Sequence, residues 1–186
     1  MKTIFEIFVL ELKYIIFYIL FLYFPLSVVA QKGIVWNENA PLEWEDYKGK
    51  VPISNMAATT ACQIKLDISC DDDIFTYTIT AVMMPEKSWV KKNLADDNLL
   101  EHERLHFDIS ELYARKIRAA FANIHTDCHH FDIYDKIIHK MVKEMEAVQQ
   151  RYDKDTNHGT IYSPHEVWRN KIALELDALK DYASTH

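Results

Sequence analysis

The stretch "LLEHERLHFDISEL", residues 99–112, sets two histidines four positions apart and puts a glutamate directly after the first. On a helix, residues four apart stack on one face, so His102 and His106 can turn ring nitrogens toward one ion. Glu103 lies one step round the helix from His102. It is badly placed to bind that ion but well placed to reach a water held on it. This is the physical content of an H-E-x-x-H pattern: zinc lowers the pKa of its water toward about 7, and the glutamate takes the proton as a carbonyl is attacked. With nine histidines in 186 residues, the pattern arises by chance at roughly 3%, and it falls within the strongest helical periodicity of the chain.

A catalytic zinc takes three protein ligands and keeps one open position. Glu111, nine residues after His102, points half a turn away from the ligand face. Asp108 is also off that face, and serves either to orient a ligating histidine or as a solvated carboxylate. The metzincin spacing is absent, because Ile109 and Leu112 occupy its glycine and third-histidine positions. The third ligand is therefore expected farther along, among His125, His129, His130, His139, His158 and His165, or from an acid such as Glu111 or Asp155. His158 is the leading candidate, since "TNHG" reads as a loop between two helices, where backbone bends a side chain toward a fixed site. Tyr152 and Tyr162 flank that loop. The hydroxyl of either could donate to a developing oxyanion, a contribution of about 3–4 kcal/mol in comparable donors, or serve simply as core.

The elements that must position these residues follow from periodicity. "ATTACQIKLDIS" and "IFTYTITAVMM" alternate in polarity and are rich in β-branched and aromatic residues, predicting antiparallel strands over 57–69 and 74–84 about an acidic turn. From Asp96 the period becomes helical. Asp96 or Asp97 caps a helix running to about residue 123, with Leu99, Leu100, Leu105, Leu112, Ile117, Ala120 and Phe121 on its apolar surface. A second helix is expected over 131–152, with Ile133, Ile137, Ile138, Met141, Met145 and Val148 facing inward, after which "DKDTNHGTIY" breaks the pattern. A third begins at "SPHE", with Ser163 as cap, Pro164 in the first turn and Glu166 completing a capping box, and buries Trp168, Ile172, Leu176 and Leu179. Strands first and helices after define an α+β class.

The first 30 residues stand apart. Tyr14 to Ala30 is an unbroken apolar run preceded by Lys2 and Lys13, the pattern of a signal peptide, with a retained anchor as the alternative. Residues 31–186 are then one domain, secreted or periplasmic, touching a membrane only if the apolar run is kept. A net charge of −7 with no basic run excludes nucleic acid as a partner. Cys62, Cys70 and Cys128 form no C-x-x-C pair, so they read as small, partly buried side chains with at most one bridge.

"LEWEDYKG" (42–49), "KSWV" (87–90), "LLEHERLHFDISEL" and "TNHGTIY" followed by Trp168 together resemble a family of bacterial secreted proteins. That family is known as a domain of unknown function and described as predicted zinc-dependent proteases of the H-E-x-x-H type. The resemblance spans about Pro41 to Leu179 and implies a zincin-like domain, with His102 and His106 as Zn2+ ligands and Glu103 as base; it lends weight to His158. By analogy with such folds, the strand over 74–84 would pair with extended substrate. The expected activity is a zinc metallopeptidase acting on peptide or protein substrate; a non-catalytic metal-containing binding module is the alternative.

Overall fold

A computed structural model describes residues 33–124 and 128–184, all in one unit of the chain. The expected signal segment (1–30) and His125 lie outside the described residues. The order is strands, then three helices, so the chain is α+β. Strand β1 is Ile34–Val35, β2 Ala58–Thr59, β3 Cys62–Asp71, β4 Ile74–Met83 and β5 Trp89–Val90. Helix α1 is Asp97–Ala122, α2 Phe131–Thr156 and α3 Tyr162–Ala178.

The acidic turn is Asp72–Asp73, with φ of 50° and 61°. Two left-handed residues match the twist of the flanking strands in a two-residue hairpin, and Asp tolerates that conformation. They lock the register from Asp71↔Ile74 to Cys62↔Met83. Along β3, Ile64, Leu66 and Ile68 are half-buried while the residues between them are exposed, as period-2 patterning requires. Antiparallel β1 pairs with the far edge of β4, giving the order β1-β4-β3. β4 is thus central, and its last five residues are buried.

The strand expected over 57–69 is two strands. Ala58–Thr59 leaves the hairpin and pairs with β5, which periodicity did not predict. The chain turns at Thr60–Ala61 because Ser88, fully buried, bridges it: Ala61 N–H donates to Ser88 Oγ, and Ser88 Oγ–H to the Met84 carbonyl, each at 2.9 Å.

Asp96 caps α1, accepting from the Leu99 N–H at 2.8 Å. Leu100, Phe107, Ala114, Ile117 and Phe121 bury one side of α1 in a core shared with the sheet. Leu105, Ile109, Leu112 and Tyr113 bury the other among α2 and α3. α2 differs from expectation at both ends. Ile133 is 42% exposed, and Tyr134 is the buried residue that starts its inward face. The helix continues past Tyr152 to Thr156 and stops at Asn157, whose φ of 45° is a left-handed cap. α3 starts one residue before the expected cap, at Tyr162, with no side-chain cap. The preceding left-handed turn already orients it, since Ile161 N–H donates to the Thr156 carbonyl at 2.9 Å. Cys70 and Cys128 are bridged, tying the end of β3 to the chain before α2, while Cys62 is free.

Candidate metal centre

His102 and His106 sit one turn apart on α1, both largely buried, with rings perpendicular and centroids 4.7 Å apart. Their Nε2 atoms are 3.1 Å from each other. Asp153, near the end of α2, brings Oδ1 to 3.2 Å from His102 Nε2 and 3.0 Å from His106 Nε2. Ligand atoms bonded at about 2.0–2.1 Å to a tetrahedral zinc lie about 3.3 Å apart, and two imidazoles with a carboxylate are a donor set that zinc accepts at reactive centres. The three groups fit such an ion in type and spacing. Their mutual influence is strong. Burial raises the Asp153 pKa, but hydrogen bonds from both histidines outweigh it and hold the carboxyl well below its usual range. Burial opposes the charge on His106, and the Asp153 carboxylate overrides it, raising that imidazole above its ordinary value.

Surrounding side chains fix the orientation of both rings. Gln149, one turn before Asp153, sets Oε1 on His106 Nδ1 and donates Nε2–H to the His106 carbonyl at 2.8 Å. An Nδ1–H given to Gln149 leaves the His106 Nε2 lone pair facing the cluster. The Tyr152 ring stacks on His102 at 4.6 Å, and its hydroxyl is 2.7 Å from His165 Nδ1. Gly159 also packs against His102 with φ of +79°, where a Cβ would lie 2.9 Å from the ring's Cγ.

Glu103 is 4% exposed and accepts a hydrogen bond from Thr60 Oγ1. With the three converging groups it lines a cleft of about 350 Å³ bordered by residues 56–60, Leu99 and Met145. The strand beside this cleft is β2. The expected substrate strand, β4, has neighbours on both edges and offers no free edge there.

His158 stands at the rim of the cleft, its side chain 56% exposed, with Nδ1 3.4 Å from Asp153 Oδ1. Tyr162 is 53% exposed, its hydroxyl donates to Glu166 on α3 and its ring lies against His165; Tyr152, not Tyr162, is the tyrosine in contact with His102 and His106. His165 is buried against Tyr152, and His139 is an exposed partner of Asp135. His129 and His130 precede α2. Glu111 is buried between Arg115 and Arg118. Asp108 accepts from Trp36 Nε1, and burial pushes its pKa up to about 6. Asp155 accepts from Trp168 Nε1. The residue that sequence reasoning missed is Asp153, assigned to the break after α2. Its signal was Met145, Gln149 and Asp153 at four-residue spacing, a buried face turning polar without leaving the helix.

Fold and site together define an α+β protein with a His–His–Asp cluster and an adjoining buried glutamate. Residues 54–159, more than half of the chain, match the family described as bacterial protein of unknown function (DUF922), and the chain belongs to that family. The matched segment contains Thr60, the whole cluster, His158 and Gly159. No curated protein and no solved structure matches the chain.

Proposed function

We propose that the protein is a zinc-dependent metallopeptidase of zincin-like architecture, secreted or periplasmic, that hydrolyses peptide bonds. The observation that carries this reading is the convergence of His102 Nε2, His106 Nε2 and Asp153 Oδ1 within 3.0–3.2 Å of one another beside buried Glu103. These three residues hold the ion, and His158 stands next to them at the rim. When bound, zinc polarises a carbonyl and brings the pKa of water to about 7. Glu103 takes the proton from the attacking water and passes it to the leaving amine. The cleft walls formed by residues 56–60 orient an extended peptide. The Cys70–Cys128 bridge and the apolar N-terminal run support an extracytoplasmic location, since disulfides persist in oxidising compartments.

A second reading, a non-catalytic binding module with a structural metal, is favoured by one observation: the closeness of His158 to Asp153 would let it serve as a fourth ligand and close the site. Elemental mass spectrometry separates the readings. About one zinc per chain is expected in wild type and in His158→Ala, and none in His106→Ala or Asp153→Ala. Zinc-loaded wild type should cleave members of a peptide library, and Glu103→Gln should keep the metal but cleave nothing. Loss of zinc in His158→Ala together with an inert wild type would establish the binding module. No zinc in any sample after reconstitution would reduce "EHERLH" to a polar helix face.

A further inference from the structure

Two of the sequence segments that carry the family resemblance, "LEWEDYKG" and "KSWV", hold no group of the cluster, yet both lead to Glu103. Tyr47, 9% exposed, places its hydroxyl 2.6 Å from Thr60 Oγ1. Thr60 Oγ1 lies 2.5 Å from Glu103 Oε2. A threonine hydroxyl has one proton and an ionised carboxylate only accepts. The proton order is therefore Tyr47 O–H to Thr60, and Thr60 O–H to Glu103. Burial and the neighbouring Glu103 push the Tyr47 phenol above its usual range, which keeps it a donor at every working pH.

The two donors are held by rigid backbone. Ser88, in "KSWV", sets the turn at Thr60–Ala61 through its hydroxyl. Gly49, which ends "LEWEDYKG", donates its N–H to the Ser88 carbonyl at 2.8 Å. That approach is so close that a Cβ at Gly49 would lie 2.6 Å from the same oxygen. The 3-10 turn Trp44–Asp46, which Tyr47 follows directly, is thus docked through Gly49 onto the residue that fixes Thr60.

We propose that Thr60, backed by Tyr47, is the positioning residue of the site: it engages Glu103 Oε2 and so leaves Oε1 as the oxygen presented to the cleft. A glutamate has three rotatable side-chain bonds, and a base acts only within hydrogen-bond reach of its proton. Two linked donors, each strengthening the other in a buried setting, restrict that freedom. The catalytic consequence rests on the metallopeptidase reading; the hydrogen bond itself does not.

The test compares Thr60→Val, Thr60→Ser and Tyr47→Phe in the whole protein by zinc content, kcat and KM on a cleaved peptide, and the Glu103 carboxylate infrared band, identified by difference against Glu103→Gln. Thr60→Val should keep its zinc, shift the band and lose roughly 10–100-fold in kcat with KM within about twofold, as for other partners that orient a reacting group. Tyr47→Phe should shift the same band less. Thr60→Ser should restore band and rate, because the hydroxyl rather than the methyl does the positioning. A Thr60→Val protein with unchanged band and kcat would overturn the proposal, as would Thr60→Ser behaving like Thr60→Val. If Thr60→Val fails to fold, an unchanged band in Tyr47→Phe overturns it instead. If wild type cleaves no peptide, the metallopeptidase reading falls, while the band still decides whether Thr60 holds the carboxylate.

Discussion

Gly159 packs against the side chain of His102, so near that a Cβ would stand 2.9 Å from His102 Cγ and 3.1 Å from its Cβ. The contact explains why the loop after α2 carries glycine there. Its φ of +79° is costly for any other residue, by about 1–3 kcal/mol, and the added methyl must also displace a buried ring.

Gly159→Ala is therefore expected to lower the stability of the metal-free protein by about that amount and to weaken zinc binding by shifting His102. Urea unfolding and a zinc titration against a chromophoric chelator measure the two effects. Wild-type values in both would mean that the loop moves freely away from His102.

Gln149 holds His106 at two points, ring nitrogen and backbone carbonyl. Gln149→Ala removes the acceptor beside His106 Nδ1 without touching the three residues proposed to hold the metal. Zinc affinity should fall roughly 10–100-fold, with a stability change under about 1 kcal/mol in the metal-free state because Gln149 is only half-buried. An affinity within twofold of wild type would deny Gln149 any orienting role.

How far these relationships could be read from the chain alone depends on their range. The hairpin, a helix cap at Asp96 or Asp97 and the broad apolar surface of α1 follow from patterns spanning a few residues; the structure contains them, with Asp96 as the cap and that surface divided between two cores. The turn at Thr60 does not: a β-branched residue inside an alternating run reads as continuous strand, and the partner that bends it, Ser88, acts across 27 positions. The end of α2 was misread for a related reason. "DKDT" looks like solvated polar chain, but Asp153 faces α1, and Thr156 stays helical with Oγ1 bonded to the Tyr152 carbonyl at 2.7 Å and Asn157 capping beyond it. Ser163 offered a sound local capping box, and tertiary docking of the left-handed turn overrode it. That His102 and His106 share one helical face was legible because their four-residue spacing alone puts them there. Asp153 was not, because its relation to them exists only once α2 packs on α1.

The cysteines give a third prediction. The Cys70–Cys128 bridge closes a loop with a sequence separation of 58, for which chain entropy gives about 4 kcal/mol of stabilisation. Cys70→Ser should lose about that much in urea unfolding. The free Cys62 thiol is pushed up from its ordinary pKa, first by burial and further by nearby Glu103. Because the folded pKa exceeds the unfolded one, this group leaves stability unaffected below about pH 8.5 and diminishes it above, where the unfolded thiol ionises. Native protein should therefore resist a thiol reagent at pH 8 and yield one reactive thiol per chain on unfolding without reductant. Rapid native labelling, or three thiols on unfolding, would contradict this assignment.

Glu111 is an acidic residue close to the motif and a candidate ligand on sequence grounds. It is 1% exposed, and Oε1 accepts from Arg115 Nε at 2.9 Å and Arg118 Nη2 at 2.6 Å. The same guanidiniums reach the Leu176, Tyr182 and Ile79 carbonyls, joining α1 to the end of α3, to the turn after it and to β4. A carboxylate committed to two buried cations has a structural task, and removing it leaves both charges without their counter-ion. Glu111→Ala should cost about 3–5 kcal/mol, and Glu111→Gln less, since the amide oxygen still accepts one bond. Zinc content measured on the folded fraction should stay at the wild-type value in both variants, unlike Asp153→Ala. Loss of zinc without loss of stability would make Glu111 a metal ligand and count against the proposed His102–His106–Asp153 set.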